Sequence, residues 1–572
     1  MARRGPDAEG IWQDEGVILG HRRLSILDLD VRSSQPFHSK CGRFVAIFNG
    51  EIYNFEQLKI LLMERGVQFH TTSDTEVLVE MFKSEGEGML PKLHGMFAFV
   101  VWDRQSRRAF AARDPYGIKP LYLARVPGGV LLASQVKALM ATGLVSRSPD
   151  LKGQAGFWML GSVPEPHTWY ADVKVIPAGG SVWIEEGRET SPKRWSDIGD
   201  AWRSASESTT QADVREIAEL ARSALLNSVR RHLVSDVPVG VFLSGGIDSS
   251  ALAGLMVECG ATRVQGVTLT YQEYAGRFED EAPVAAQVAT HYGIQHHIRR
   301  VTKEEFLADM LRILGAMDLP SVDGVNTWYA SKAVAEQGLK VVVSGVGGDE
   351  LFLGYESFRT LPQLQRRWRV ASSVPGVQAL GGVLGALQAR RTGNNRWNHA
   401  ADWARSMAGA WWLRRSLATA NELPQLMGAE AAAEVVAQFS AEQWVHDMTG
   451  PLASQPTMAL AQIESLTYLR NQLLRDSDWA SMDHGVELRT PLVDAHLLQL
   501  LSPHLGSFER FPNKMLLSQA PTLPLPAAVT QRKKSGFGIP VQKWLAGPYA
   551  ESKGRPALSG WSAWMRQIAE AY

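Results

Sequence analysis

The sequence predicts an α+β domain on a largely antiparallel sheet, joined to an α/β domain with a parallel sheet and extra helices. Over the first 190 or so residues, short apolar runs alternate with turn signals. At 239–250, VGVFLSGGIDSS sets an apolar strand, a glycine turn and a helix start in succession, and KVVVSGVGGDELFLGY at 340–355 repeats the pattern. Between the two regions, the polar stretch from 186 to 214 lacks a clear period and reads as a linker. The expected organisation is therefore residues 1–190, a linker over 191–214, and a second domain over 215–572 with a helical insertion at about 360–455.

In the first domain, VILGHRRLSILDL, GRFVAIFNGEIYN, GMFAFVVWD and RRAFAAR read as strands, with FEQLKILLMERG as a helix between the second and third. After the linker, VREIAELARSALLNSVRRHL carries apolar residues at helical spacing, and VGVF opens the parallel unit. RVQGVTLTY adds a second strand and Val341 to Val343 a third. Residues 360–455, rich in Trp, Arg and Ala, suggest several helices packed on the second domain. Aromatics at helical spacing there read as core in preference to a nucleic-acid or membrane surface.

Composition narrows the function. Basic and acidic residues balance at 59 each, so nothing at the whole-chain level points to nucleic acid. Cys41 and Cys259 are the only cysteines, too few for a disulfide framework, which fits a reducing cytoplasm. MARRGPDAEG lacks the apolar segment of a signal peptide, and no apolar stretch reaches the span of a bilayer. The expectation is a soluble enzyme of small molecules.

The glycine turn at 244–246 lets the backbone approach an anion, and the first-turn N–H groups with Ser244, Ser249 and Ser250 favour phosphate or pyrophosphate. The Gly-Lys-Ser/Thr ending of a Walker A loop is absent. SGGIDSS resembles the pyrophosphate loop of ATP pyrophosphatases, which split ATP into AMP and pyrophosphate to adenylate a substrate. That resemblance implies ATP contacts at Leu243, Ser244, Gly245, Gly246, Asp248, Ser249 and Ser250, a backbone contact to adenine at Leu269, and further contacts at Ser344 and Gly345. Asp248 and Asp349, each delivered by a strand-end turn, would bind Mg2+ through the phosphates.

In the first domain, RRGPDAEG, GHRRLSILDL, FNGEIYN, TSDTEVL, GMFAFVVWD and RDPYGIKPLY occur in the order and spacing of the class II glutamine amidotransferase domain of asparagine synthetases. The resemblance implies the N-terminal-nucleophile fold, an αββα sandwich. It assigns Arg23 to the glutamine carboxylate, Asp74 to its ammonium, and Asn49 and Gly50 to the oxyanion, with Glu51 alongside. Taken alone, Arg23 and Asp74 would read as solvated surface charges.

The family's nucleophile is a cysteine directly after the initiator methionine, its own amine serving as base. Here Ala2 follows Met1 and no such cysteine is present; Cys41, internal and next to an apolar strand, reads as a buried structural thiol. Two readings stay open: a start that lies inside the family's domain, favoured by retention of Arg23, Asn49, Gly50 and Asp74, or a member without glutaminase activity. As written, the chain is expected to use ammonium salts and not glutamine.

In the second domain the resemblance runs to residue 355 and resumes over 466–545. RDSDWASMDHGVELRTPLVD would border the acceptor and ATP cleft, with Asp476, Asp478, Glu487 and Arg489 as polar candidates and Asp494 in a structural ion-pair network. Lys514 in FPNKMLLSQA, at a helix start, matches a family lysine that stabilises charge as pyrophosphate leaves, and Arg532, Lys533 and Lys534 are either further cations or a solvated basic loop. Val346 stands where many members carry a glutamate tied to the aspartyl-adenylate, which weakens aspartate as the acceptor.

The resemblance implies conversion of aspartate to asparagine with glutamine or ammonia as nitrogen donor, ATP being cleaved to AMP, ammonia passing through an internal tunnel and the protein forming a homodimer. Alternatives are a related amidotransferase acting on a cell-surface polysaccharide or peptidoglycan precursor, a β-lactam synthetase-like cyclase, and a non-catalytic homologue.

Overall fold

The structure, a computed structural model, describes residues 1–208, 213–261, 263–533, 538, 540, 544–545 and 561–572. Strands β1 (Ala8–Asp14) and β2 (Val17–Arg23) form a hairpin. They are followed by β3 (Phe37–His38), β4 (Phe44–Ile52), β5 (Gly95–Asp103), β6 (Arg108–Arg113), β7 (Tyr122–Val126), β8 (Gly129–Ala133), β9 (Val173–Val175), β10 (Gly180–Glu185), β11 (Arg188–Glu189) and β12 (Lys193–Arg194). A seven-stranded antiparallel sheet runs β11-β10-β6-β5-β4-β3 with β12 on β10, and a three-stranded sheet runs β8-β7-β9.

Period-two alternation decides which side of the large sheet each residue serves. Phe44, Ala46, Phe48, Phe97, Phe99 and Val101 face helices α1 (Phe55–Glu64) and α2 (Asp74–Glu85). Their neighbours Val45, Ala98, Val100 and Trp102 face Leu19 of the hairpin and Leu123 of β7. Beyond β7 and β9, Tyr122, Ala124, Val173 and Val175 pack with α3 (Val136–Met140) and α4 (Leu151–Leu160). The layers therefore run helix, sheet, sheet, helix, the expected αββα order. The run VILGHRRLSILDL is a strand only to Arg23, because the chain turns at Asp28, whose φ is +49°, and wraps its carbonyls around the Arg23 guanidinium.

The stretch read as an aperiodic linker contains helix α5 (Ile198–Glu207), with Ile198, Trp202 and Ala205 buried on one face. Helix α6 (Val214–His232) leads to β13 (Val239–Phe242), which runs into α7 (Ile247–Glu258); β14 (Gln265–Tyr271), β15 (Gln295–Val301), β16 (Val341–Val343) and β17 (Glu487–Arg489) complete an all-parallel sheet in the order β15-β14-β13-β16-β17. The chain moves outward from β13 on one side and later from β16 on the other. The crevice at the carboxyl ends of β13 and β16 is thus a topological switch point, where open α/β sheets take ligands.

Helices fill residues 357–449, and Trp403, Trp411, Trp412 and Trp444 are buried among them, with Trp412 and Trp444 edge to face at 5.8 Å. The tryptophans are core, as expected. The insertion also packs on the first domain, where Leu417 N–H donates to Met159 O at 2.7 Å. Among the described residues, no helix is long and apolar enough to cross a membrane.

Candidate functional site

A cavity of about 360 Å³ gathers Arg23, Asn49, Gly50, Glu51 and Asp74 from β2, β4 and the start of α2. Gly50 has φ +137°, and a Cβ there would lie 2.0 Å from the Met96 carbonyl, so strand β5 admits only glycine at this position. Asn49 keeps its buried Nδ2 without a partner among the described residues, a donor left for a ligand. Arg23 is buried and donates to the carbonyls of Leu27, Asp28 and Asp30, which fixes its plane against the cavity. Asp74 is buried, accepts from Ile52 N–H at 3.0 Å, and is pushed by burial up to about 7 despite that bond.

His21, absent from the sequence-based set, lines the same cavity. It lies two residues before Arg23 on β2 and so shares its face; Nε2 lies 3.1 Å from Phe48 O, Nδ1 is buried and unpartnered, and burial lowers its pKa to about 4. Neither cysteine lines the cavity. Cys41 is exposed, which corrects the buried thiol expected there: it sits in the turn between β3 and β4, beside Ser39 Oγ at 3.4 Å, outside the strand.

The second domain closes this pocket. Arg489 ends β17 fully buried, 3.1 Å from Glu51 and 2.9 Å from Glu487, and donates to the carbonyls of His232 and Val234. Burial opposes the Arg489 charge, yet Glu51 and Glu487 raise its pKa above the ordinary guanidinium value. Burial also drives the Glu51 carboxyl well up, only partly offset by Arg489. Its backbone reaches the other way, the Arg489 carbonyl accepting from Ser344 N–H at 2.9 Å. Arg4 adds a two-pronged pair to Asp478 at 2.7 and 3.0 Å.

Of the residues expected around the acceptor and ATP cleft, Arg489 reaches the ATP-binding turn through its carbonyl on Ser344. Asp478, Glu487 and Arg489 form the wall facing the first domain, and Asp476 holds Ser321 Oγ and Trp479 Nε1. Asp494 caps the helix Ala495–Leu501 through His496 N–H, a structural role.

At the switch point, the turn after β13 closes on itself: Ser244 N–H donates to Ser249 Oγ at 3.1 Å, and Gly246 N–H to Ser244 Oγ at 3.1 Å. Leu243 N–H bonds Val267 O at 2.9 Å, and Leu269 is buried on β14 alongside. Gly345 and Gly348 sit against Asp248, where an added Cβ would come within 2.8 and 2.6 Å of its side chain. At Gly354, a Cβ would lie 2.0 Å from Lys514 Cε. These glycines permit an ammonium to enter between two carboxylates.

Lys514 Nζ lies 2.5 Å from Asp248 and 2.6 Å from Asp349. Burial disfavours that charge, but the two carboxylates outweigh it and raise the lysine pKa. Asn513 and Lys514 both adopt left-handed backbone, φ +54° and +56°, strain held where the side chain is aimed into the site. Asp248 and Asp349 converge on one cation, so the pair fits a divalent ion shared with phosphate oxygens. Among the described residues, no cluster of three or more His, Cys, Asp or Glu side chains offers a metal site.

Arg532 brings a buried, unpartnered Nη1 against Gly245 and donates Nη2 to Phe278 O, so it belongs to this site; Lys533 is exposed, and Lys534 lies outside the described residues. Ser250 is fully buried, Ser344 accepts from Val346 N–H at 3.4 Å, and Val346 packs half-buried on the main core.

A glutamine amidotransferase family model matches residues 1–196, and an asparagine synthase model matches residues 220–555. A Mycobacterium tuberculosis protein named for glutamine-hydrolysing asparagine synthetase is 32% identical over 95% of this chain and 83% of its own length. Asparagine synthetase 1 of Bacillus subtilis is 29% identical, again over 95% and 83%. An amidase of Gibberella zeae is 29% identical over 88% of this chain and 77% of its own. With the two sites above at the positions these matches span, the chain belongs to the asparagine synthetase family, with a glutamine amidotransferase domain ahead of its synthetase domain.

Proposed function

We propose that the second domain uses ATP to adenylate a carboxylate and that ammonia then displaces AMP to leave an amide. The observation that carries this is Lys514 held between Asp248 and Asp349 at the switch point, beneath the loop 244–250. A carboxylate oxygen of the acceptor attacks the α-phosphorus of ATP and the bond to the β-phosphate oxygen breaks. The Gly245 N–H with Ser249 and Ser250 holds the departing pyrophosphate over the Gly246 turn, while Lys514 and Arg532 face its charge. Ser344, Gly345 and the backbone of Leu243 and Leu269 hold the nucleotide. Asp248 and Asp349 would carry Mg2+, which supplies charge neutralisation at the phosphates. Ammonia attacks the acyl carbon, the bond to AMP breaks, and the nitrogen loses a proton to water.

In the first domain Arg23 holds the carboxylate of glutamine, Asp74 its ammonium, and Asn49 Nδ2 with Gly50 N–H the oxyanion, with Glu51 and His21 alongside. The family reaction takes aspartate to asparagine in the cytoplasm. Val346 favours a second reading in which another carboxylate is the acceptor, since valine offers no proton acceptor beside the acyl group.

Product analysis tests the core of this reading. AMP and pyrophosphate should appear in step with amide; ADP and phosphate would overturn it. Supplying ammonium salts and glutamine in separate assays identifies the nitrogen donor.

A further inference from the structure

A second cavity, of about 550 Å³, lies where the helical insertion meets both domains. Volumes of about 300–1,000 Å³ take drug-sized ligands, so this space exceeds what a free amino acid fills. The insertion lines it with Arg396, Trp411, Arg414 and Arg415, and the synthetase domain supplies Asp323 and Tyr468. Tyr468 lies on a π-helix (Ser465–Leu474), a rare form that concentrates at functional sites.

Two observations point to a ligand. Trp411 lines this space at 2% exposure, and its Nε1–H has no hydrogen-bond partner among the described residues. The charge is also lopsided: Arg415 is matched by Glu464 at 2.8 Å, while among the described residues Arg396 donates only to neutral groups, the Asn394 side chain and backbone carbonyls including Ser416 O at 2.7 Å. Arg414 is exposed at the rim. A chain of side-chain contacts joins the cavity wall to the synthetase site. The Arg415 guanidinium lies 3.8 Å over the Tyr468 ring and 5.0 Å over Tyr355, whose O–H donates to Glu350 at 2.8 Å, next to Asp349.

We propose that this cavity holds the body of the acceptor, and that the acceptor is larger than a free amino acid and carries a second anionic group bound by Arg396, Arg414 and the Trp411 N–H. This rests on the reading of the second domain as a carboxylate-adenylating enzyme and names its substrate class. The carboxylate to be amidated lies at the Tyr355 end, and the insertion acts as the specificity element.

The test is calorimetric titration of the full chain, without turnover, against L-aspartate and three probes: aspartyl-glutamate, tricarballylate and glucuronate 1-phosphate. At least one probe should bind ten times or more tighter than L-aspartate. Arg414→Ala, at an exposed position, should weaken that probe about tenfold, the scale of one charge-assisted contact. Trp411→Phe keeps the packing and removes only a hydrogen bond that nothing in the protein receives; it should weaken the probe several-fold and leave ATP affinity unchanged. The proposal is overturned if no probe exceeds L-aspartate, or if both variants bind it like the parent protein. Formation of ADP in the product assay would instead strike the adenylation reading, which this titration does not depend on.

Discussion

Around Lys514 one ammonium stands between two carboxylates, whereas around the glutamine pocket Glu51 and Glu487 share Arg489, Lys119 lies 3.9 Å from Glu487, and Arg23 lines the cavity with Asp74. In the first cluster the cation is raised and stays charged throughout the neutral range. In the second, burial drives Glu51 well above the ordinary carboxylate range and brings Asp74 to about 7. The synthetase site is thus assembled around one central cation, while in the other pocket the cations stand apart and Asp74, with no ion pair among the described residues, is the place proposed for the ligand's ammonium. The difference is one of supply: close-packed glycines admit Lys514 from a distant segment, whereas the pocket borrows Arg489 across the domain boundary.

Removing the Arg489 side chain strikes the boundary between the two domains. Arg489→Ala leaves Glu51 buried without its guanidinium and Glu487 with Lys119 alone, and should cost about 3–5 kcal/mol in urea unfolding. Arg489→Lys should recover little, because the fork that also bonds the carbonyls of His232 and Val234 is lost. Lys514→Ala should slow pyrophosphate release by roughly 10²–10³-fold, about 3–4 kcal/mol, while glutamine titration of the first domain is unchanged. Gly354→Ala places a methyl group against Lys514 Cε and should slow the same step by roughly tenfold or more. A normal rate in that variant would show that Lys514 can relocate.

The smallest effect is the most diagnostic of the pocket. Asp74 has a folded pKa above its unfolded value, so its contribution to stability is present below the unfolded value and is lost as pH rises through about 7. Asp74→Asn should therefore raise the melting temperature at pH 8 and match the parent protein near pH 4. Glutamine binding has the opposite sign, since the ammonium needs the ionised carboxylate. Its affinity should fall as pH drops below about 7, approaching tenfold per unit, and Asp74→Asn should abolish that dependence.

What was legible in the chain was local. Val239 to Ser250 and Val341 to Glu350 declare strand, turn and helix within a few residues, and the clusters around Arg23, Asn49 and Asp74 keep fixed neighbours. Helix α5 escaped notice because Ile198, Trp202 and Ala205 are diluted by polar residues that face solvent. Cys41 misled because a position before an apolar strand says nothing of which side of the turn it takes.

The sequence by itself determined the two-domain order and the strand, turn and helix pattern of each domain, because backbone propensity and side-chain period act over short spans, while its resemblance to a family implied the αββα class and the candidate site residues. Only the tertiary structure decided that Arg489 serves both domains, that Lys514 stands between Asp248 and Asp349, and that the insertion encloses a cationic cavity. Those depend on segments hundreds of residues apart being buried together, where the loss of water makes each charge seek a partner that no local pattern names.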